Sequence, residues 1–569
     1  MATKNISAIF HLCFPLLLFA LISSKIHSQP VQNFVNYFDK NQKQKKSEGK
    51  FVNGLEEGEW KFWYECQKCK PDEQGKIKEI SNYSNGKFNG RVTIFYENGG
   101  RQNEGFFKRN LPDSIYTEWY PCSACGDGKD GNLKITGYYD EKVKTGLWTY
   151  YFPQPSKKYK EVMFLNGQSK LVNSWDISGN QNVINGAGKH VEYYENSKTI
   201  SEECEYSDSI RSGAFAAWYK NGNKKEEGKY LRGMKEGSWT FWHPNGKLFK
   251  KSTYSQWELE GEFIQYFQNE KPEASGNYLK GKKEGKWVMH RENGNLDYEG
   301  EFKEDLQHGF WIYYYSSGEK ESTGYFKEGK RDSLWIFLYK SGDKWKEGFF
   351  VNDLKNGKWT TWFEKKENGN PGHVLQEGNY LNGKEDGLWT SWYEDGKKKD
   401  EGFYKNGLME GSWNGWYPNG NKNYEGKILN GLKEESWAFW FPDGKLRERG
   451  KYLKGKKQGF WEFYHETGGL ESAGNFMKEK PDGKWTYYFA CPECKTGEKG
   501  QKMREEYLKN GIAEGKATVW YPGGAIQSET DFKKGKPNGE WKQFNKNGMI
   551  TMDRLYKEGK IVKDKMEIK

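Results

Sequence analysis

The sequence predicts an all-β fold, an elongated solenoid-like ribbon of 19 stacked antiparallel β-hairpins with a 24-residue repeat. Three observations predict it. An aromatic residue, most often tryptophan, returns at a fixed spacing, and a fixed spacing of this length is typical of repeat architectures. Asn-Gly or Asp-Gly pairs follow that residue where a hairpin would turn. Finally, aromatic residues make up 17% of a chain whose hydrophobic content is only 34%, which favours short aromatic strands over a thick aliphatic core.

The residue that opens each repeat, called the anchor below, defines the period. Thirteen of the 19 anchors are tryptophan, and twelve of the 18 spacings between them are 24 residues. The anchors are Trp60, Val92, Tyr116, Trp148, His190, Phe215, Trp239, Phe263, Trp287, Trp311, Trp335, Trp359, Trp389, Trp413, Trp437, Trp461, Trp485, Ala517 and Trp541. Because one hairpin buries too little surface to fold alone, the repeats are expected to stabilise one another by stacking.

The repeat around Trp287 illustrates the predicted hairpin. Trp287 begins a short strand, and Asn293-Gly294 predicts a two-residue type I′ turn, in which both residues have positive φ. A returning strand follows with glycine and a ring two residues apart, as in Gly300 and Phe302. A second glycine-rich turn, at Gly281 or Gly329 in the neighbouring repeats, leads to the next anchor. Successive hairpins are therefore expected to pair into one antiparallel ribbon.

The ends of the chain and one interruption predict the domain organisation. Residues 1–28 read as a secretory signal peptide, with Lys4 before an apolar stretch at 9–22 and cleavage after Ser28. A membrane anchor is the alternative, although the apolar run is short for a span. Beyond it we expect a polar leader at 29–48, hairpin repeats at 49–164, an irregular joint at 165–189, a longer repeat array at 190–560 and a charged tail at 561–569.

The predicted signal peptide and the distribution of charge indicate where the protein is located and which partners it binds. The mature chain contains no expected transmembrane span, so it is predicted to be exported to the periplasm, the envelope or the medium. The net charge of +11 arises from 90 basic and 79 acidic residues whose signs are interleaved. A nucleic-acid partner is not expected, because such binding needs basic residues concentrated on one surface.

Two segments carry a resemblance to a known family. The stretches GKYLRGMKEGSWTFWHPNGK at 228–247 and GNYLNGKEDGLWTSWYEDGK at 378–397 resemble the MORN repeat (membrane occupation and recognition nexus), in its bacterial antitoxin-like variant. The resemblance extends over about 49–560. It implies stacked β-hairpins used for binding or scaffolding, with an antitoxin role in some members, and it brings no catalytic residues.

Three repeats are lengthened by eight residues, and each of them carries a Cys-x-x-Cys at the hairpin tip. The pairs are Cys66 and Cys69, Cys122 and Cys125, and Cys491 and Cys494. A local disulfide in each tip is the leading interpretation, since exported thiols oxidise. A zinc site, free thiols and a thioredoxin-like redox pair remain alternatives. Cys204 is left over, either buried or paired between chains.

A second ladder of rings lies three residues after the anchors, where a regular strand faces away from the anchor side. Its members are Trp218, Trp242, Tyr266, Trp392, Trp416 and Trp440. Packing within the ribbon is one interpretation of this ladder. The other is an exposed binding surface for an extended polypeptide or for sugar rings.

These patterns predict a binding protein, because signatures of an enzyme are lacking. The histidines replace rings at repeat positions, as at His190 and His290, and no nucleotide-binding glycine loop has a strand-to-helix context. We expect no catalytic, metal or cofactor site. The predicted function is an exported, non-enzymatic scaffold that binds another protein through its hairpin surface. The alternatives are an antitoxin or immunity protein and a carbohydrate-binding protein that uses the ring ladder.

Overall fold

The computed structural model describes residues 31–67, 70, 73–122, 129–154, 156–195, 197–366, 372–495 and 497–566. The predicted signal peptide, 1–28, lies outside them. The described residues form two compact units, one up to Gly246 together with Ser255–Trp257, the other Lys247–Tyr254 together with the residues from Glu258 onward. The predicted joint at 165–189 lies within the first unit.

The first unit is built from short strands. They are β1 (Gln32–Tyr37), β2 (Lys45–Val52), β3 (Leu55–Trp63), β4 (Ile77–Ser84), β5 (Lys87–Phe95), β6 (Arg101–Lys108), β7 (Leu111–Trp119), β8 (Leu133–Asp140), β9 (Val143–Tyr151), β10 (Lys158–Leu165), β11 (Gln168–Trp175), β12 (Gln181–Ile184), β13 (Ala187–Tyr193), β14 (Ile200–Ser207), β15 (Ile210–Trp218), β16 (Lys224–Leu231) and β17 (Met234–Trp242). Strand pairing thus begins at β1, inside the segment expected to be a polar leader.

The second unit continues the same pattern. Its strands are β18 (Leu248–Ser255, whose last residue belongs to the first unit), β19 (Glu258–Tyr266), β20 (Pro272–Leu279), β21 (Lys282–His290), β22 (Leu296–Lys303), β23 (Leu306–Tyr314), β24 (Lys320–Lys327), β25 (Lys330–Leu338), β26 (Lys344–Val351), β27 (Leu354–Trp362), β28 (Val374–Leu381), β29 (Lys384–Trp392), β30 (Lys398–Lys405), β31 (Leu408–Trp416), β32 (Lys422–Leu429), β33 (Leu432–Trp440), β34 (Leu446–Leu453), β35 (Lys456–Tyr464), β36 (Leu470–Met477), β37 (Lys480–Tyr488), β38 (Lys502–Lys509), β39 (Ile512–Trp520), β40 (Ile526–Lys533), β41 (Lys536–Phe544), β42 (Ile550–Lys557) and β43 (Lys560–Asp564).

Within each unit, consecutive strands pair antiparallel, which confirms the predicted all-β hairpin repeat. The register is the same from repeat to repeat: Trp311 pairs with Gly324, and Trp389 pairs with Gly402. The described part of the chain contains no helix. Where an anchor strand pairs with the strand that follows it, the register shifts just before the third residue after the anchor, as between Tyr313 and Tyr314.

The prediction of a type I′ turn at Asn-Gly is wrong. Around Asn293, the amide of Gly294 donates to the carbonyl of Arg291 at 2.8 Å, and the amide of Arg291 donates to the carbonyl of Asn295 at 2.8 Å. This pattern belongs to a three-residue loop, a type I turn closed by a glycine with positive φ. Asn293 serves another purpose, since its Nδ2 donates to the carbonyl of Ser316 in the next repeat at 3.1 Å.

The primed turns lie at the opposite end of the strands. Asn382 and Gly383 have φ of 50° and 82°, and Asn406 and Gly407 have 52° and 83°. Positive φ at both positions is the condition for type I′. Glycine tolerates this conformation without strain, and asparagine is the next most tolerant residue. The two glycine-rich turns of each repeat therefore have different geometries.

The core of most repeats is a tryptophan lying over a glycine. Most anchors are buried, and Trp311 is fully so. A β-carbon at Gly300 would lie 2.2 Å from an atom of the Trp311 ring, so only glycine admits the ring. The indole nitrogen donates to the carbonyl of Glu301 at 3.1 Å, which fixes the ring along the strand.

The same position explains several anchors that are not tryptophan. Glycine occurs eleven residues before twelve of the 13 tryptophan anchors. At several of the smaller anchors, a buried side chain takes the place of the glycine. The pairs are Ser81 with Val92, Cys204 with Phe215, and Glu506 with Ala517. Cys204 is a free, buried thiol that fills this space.

A row of tyrosine hydroxyls, four residues after the anchors, joins neighbouring repeats. The Tyr417 hydroxyl donates to the carbonyl of Trp440 at 2.9 Å, and the Tyr393 hydroxyl donates to the carbonyl of Trp416 at 2.8 Å. The tyrosine recurs at the same spacing as the anchor, so this hydrogen bond between neighbouring repeats recurs along the array. Sequence reasoning did not single out this row, although its spacing is visible.

Replacing Tyr417 by phenylalanine should lower local stability by about 0.5–1.5 kcal/mol, because it removes one inter-repeat hydrogen bond and keeps the ring. Phe441 occupies the same position one repeat later, so the ring is compatible with the fold. Amide hydrogen exchange should become faster in β33. The reverse variant, Phe441→Tyr, should slow exchange in β35. Unchanged exchange in both variants would show that the hydroxyl row does not couple repeats.

Candidate functional surfaces

The predicted ladder three residues after the anchors is half-buried. Trp218, Trp242, Tyr266, Trp392, Trp416 and Trp440 all lie in this class. A lysine of the preceding repeat lies near several of these rings: Lys224 Nζ is 5.4 Å from the ring centroid of Trp242, and Lys422 Nζ is 5.5 Å from that of Trp440. Lys398 lies in the same way 5.7 Å from Trp416.

These lysines are held in place by carboxylates. Each pairs with the glutamate three residues later on its own strand, the pairs being Lys224 with Glu227, Lys398 with Glu401, and Lys422 with Glu425. The residues of the ring ladder thus make contacts within the ribbon. Their rings lie near lysine ammonium groups, and the backbone carbonyls of Trp416 and Trp440 accept hydrogen bonds from tyrosine hydroxyls. Ligand binding at these rings stays a prediction.

A different set of rings is exposed, on the residues just before the anchors and on their cross-strand partners. In the second unit, Phe310 pairs with Tyr325, Leu334 with Phe349, and Leu388 with Phe403. These six residues form what we call the outer patch; Leu334 is half-buried, and the other five are exposed. Phe310 is 45% exposed, Tyr325 47%, Phe349 49% and Phe403 46%, whereas the neighbouring anchor Trp311 is 0% exposed.

The outer patch was missed in the sequence, although a signal for it exists. At the same positions other repeats carry polar pairs, such as Lys286 with Glu301 and Ser412 with Lys427. Alternation along a strand sends neighbours of a buried anchor to the opposite face. Rings at solvent-facing positions that are polar in other repeats therefore distinguish this surface from the rest of the array.

The cysteine tips are disulfide-bonded. Cys491 and Cys494 form a disulfide with Cα atoms 5.3 Å apart, as predicted. Cys66 and Cys122 are also disulfide-bonded, and their predicted partners Cys69 and Cys125 lie outside the described residues. Each tip is hydrogen-bonded to the segment before it: the side-chain amide of Gln44 donates to the carbonyl of Cys66, that of Asn98 donates to the carbonyl of Cys122, and the backbone amide of Leu470 donates to the carbonyl of Glu498.

The first unit contains a cleft of about 820 Å³. It lies where the anchor spacing lengthens to 42 residues, between Trp148 and His190. β12 has only four residues there, and side chains of β10 reach β13 directly. The Tyr159 hydroxyl donates to the carbonyl of Val191 at 3.1 Å, and Lys160 Nζ lies 2.5 Å from a carboxylate oxygen of Glu192.

Rings and charged groups line this cleft. The rings are Tyr120, Tyr150, Tyr151, Phe152, Tyr159, Tyr193 and Tyr194, and the charged residues are Asp130, Lys134, Lys160, Glu192, Glu195 and Lys198. Burial alone would raise the pKa of Glu192, but hydrogen bonds from His190 and Lys160 lower it to about 2. Burial raises the pKa of Tyr150 to about 12. The carboxylate is thus ionised and the phenol neutral at physiological pH.

The lengthened tip at Cys122 and the predicted joint both contribute to the cleft, through Cys122 and Ile177. Sequence reasoning singled out both interruptions but did not predict that they line one cleft. Among the described residues, no three histidine, cysteine or acidic side chains are grouped as they would be around a metal ion. Nor does any helix there have the length and apolar character needed to cross a membrane.

Comparison with known proteins identifies the repeat in part. A family model described as MORN repeat variant matches residues 235–256 and 385–406. No curated protein matches the chain. Solved structures that resemble it include the TcdB2-TccC3-Cdc42 complex, at 11% identity over 93% of this chain and 30% of that one, with a TM-score of 0.12.

A Photorhabdus luminescens Tc holotoxin pore, with a mutation in TccC3, gives 10% identity over 85% of this chain and 27% of that one, with a TM-score of 0.12. The chain therefore spans about a third or less of the length of these structures. Such low TM-scores support no inference about fold or function. The family model does support the repeat type, and the hairpin array therefore contains MORN-type repeats at 235–256 and 385–406.

Proposed function

We propose that this chain is an exported, non-enzymatic repeat scaffold that binds another protein through the outer patch of its second unit. The observation that carries the proposal is the exposure of cross-strand pairs of large apolar side chains, such as Phe310 with Tyr325 and Leu388 with Phe403. Large exposed apolar side chains grouped on one face of a protein mark interaction sites.

The setting of the patch favours a protein partner. Lys358 and Asn379 lie between its two halves on the same face, and the repeat on its N-terminal side carries Lys286 and Glu301 at the equivalent positions. Protein interfaces combine apolar side chains with polar ones, as this face does. Aromatic side chains also carry much of the binding free energy at such interfaces.

The experiment uses the full chain as bait in an extract of the native envelope, followed by binding of the purified candidate partner to the chain. The variant Phe349→Lys/Phe403→Lys places two charges in the patch and should weaken direct binding by about tenfold or more, equivalent to at least about 1.4 kcal/mol. Ser412→Lys adds a charge on the same face outside the patch and serves as the control.

Binding that survives the double variant, or that Ser412→Lys weakens equally, would contradict this assignment. Circular dichroism should show unchanged strand content in both variants, because the replaced side chains are exposed.

A further inference from the structure

We propose that the cleft in the first unit binds a neutral oligosaccharide. This goes beyond the proposed protein scaffold, because it concerns a different unit and a different class of ligand. The cleft volume of about 820 Å³ lies in the range of small-molecule sites, roughly 300–1,000 Å³. Two interruptions of the repeat line it, the lengthened tip through Cys122 and the predicted joint through Ile177.

Clustered aromatic rings form one wall of the cleft. The ring centroids of Phe152 and Tyr159 are 4.8 Å apart, and Tyr193 lies 5.9 Å from the first and 6.1 Å from the second. The faces of aromatic rings are electron-rich and attract positively polarised C–H groups. A pyranose presents such C–H groups on its faces and hydroxyls around its edge, so it complements a ring wall bordered by polar groups.

Five of the six charged side chains that line the cleft are in ion pairs. Lys160 pairs with Glu192 at 2.5 Å, Lys134 pairs with Glu118 at 2.7 Å, and the rim carboxylate Asp130 pairs with Arg101. Three lysines and three carboxylates line the cleft, so no net formal charge faces the ligand. An ionic ligand would have to compete with these pairs, and separating a partly buried pair is costly.

A neutral polyol avoids that cost. Its hydroxyls accept hydrogen bonds from ammonium groups and donate to carboxylates without disturbing the ion pairs. A ligand cation is also disfavoured at the rings, because Lys160 Nζ already lies 5.4 Å from the centroid of Tyr150 and 5.0 Å from that of Tyr159. The chemistry of the cleft therefore favours a sugar over an acidic or a basic peptide.

The test measures binding to the full chain by isothermal titration calorimetry. The probes are cellotetraose, maltotetraose, laminaritetraose and tetra-N-acetylchitotetraose. The peptides tetra-lysine and tetra-glutamate are the charged ligands for comparison. At least one tetrasaccharide should bind with a Kd between micromolar and millimolar. Tyr193→Ala should weaken it by about tenfold, the loss of one ring contact, about 1.4 kcal/mol, while Tyr193→Phe should retain most of the affinity.

Ser412→Lys, at an exposed position of the second unit outside the ring ladder, is the control and should leave saccharide affinity unchanged. The proposal is overturned if no tetrasaccharide binds, if Tyr193→Ala binds as well as the native chain, or if a charged peptide binds more tightly than every sugar. Because the Phe349→Lys/Phe403→Lys variant leaves the cleft intact, saccharide binding and partner binding can fail independently.

Discussion

Replacing Trp461 by alanine should lower the free energy of unfolding by about 3–5 kcal/mol, the usual cost of removing a fully buried tryptophan. Trp461 is 0% exposed. Its indole nitrogen donates to the carbonyl of Lys451 at 3.0 Å, and its ring centroid lies 5.1 Å from that of Tyr452. Lys457 Nζ lies 4.0 Å from the centroid of the same ring. The substitution removes these contacts and leaves a cavity over Gly450.

Denaturant unfolding followed by circular dichroism measures the loss, and hydrogen exchange locates it. Because repeats interact mainly with their neighbours, exchange should accelerate in β34 to β37 and stay unchanged in β21. Trp440→Ala is the matched control: the ring is half-buried, and the backbone carbonyl that accepts from Tyr417 is retained. An equal loss in both variants would contradict the assignment of the anchor as the core.

Replacing Gly300 by alanine should destabilise the chain by about 1–3 kcal/mol through overpacking, although alanine is normally a conservative change. The new β-carbon would lie 2.2 Å from the Trp311 ring, so the indole must move. Moving it weakens the hydrogen bond to the carbonyl of Glu301, worth about 1 kcal/mol. Thermal unfolding of the purified chain measures the effect.

The chain itself supplies the compensating change. Ser81 lies beside the anchor Val92, where Gly300 lies beside Trp311. Gly300→Ser should therefore cost much less in a Trp311→Val background than in the native chain, and the double-mutant cycle should show coupling. Gly342→Ala tests backbone strain alone, since φ is +88° and the added carbon meets no atom within 4 Å. Its cost should be the same with Trp311 or with valine at that position. A double-mutant cycle without coupling between Gly300→Ser and Trp311→Val would refute the steric explanation.

The regular part of the fold was predictable because the period is strict. A ring at most anchors and two glycine-rich turns define a hairpin, and the strands from β19 to β43 follow that spacing except before Trp389 and Ala517. The turn geometry was not predictable from Asn293-Gly294 alone. The same dipeptide fits a two-residue type I′ turn or a three-residue loop, and the hydrogen bonds of the neighbouring strands select the latter.

The candidate sites were predictable only in part. The cysteine tips and the joint were visible as departures from the period, and the ring ladder at Trp242 or Trp416 was visible as a second row. Its half-buried state depends on lysines such as Lys224, which lie over a ring 18 residues later in the chain. The outer patch required a comparison of equivalent positions across repeats, in which Phe349 and Phe403 depart from a polar pattern.

By itself, the sequence determined the repeat, the strands and the positions of the two turns, because these depend on contacts between neighbours at a constant spacing. Only the tertiary structure decided which rings are exposed and where a cleft forms. Both depend on how strands pack around an interruption: Tyr159 meets Val191 across two intervening strands, and no local pattern encodes that contact.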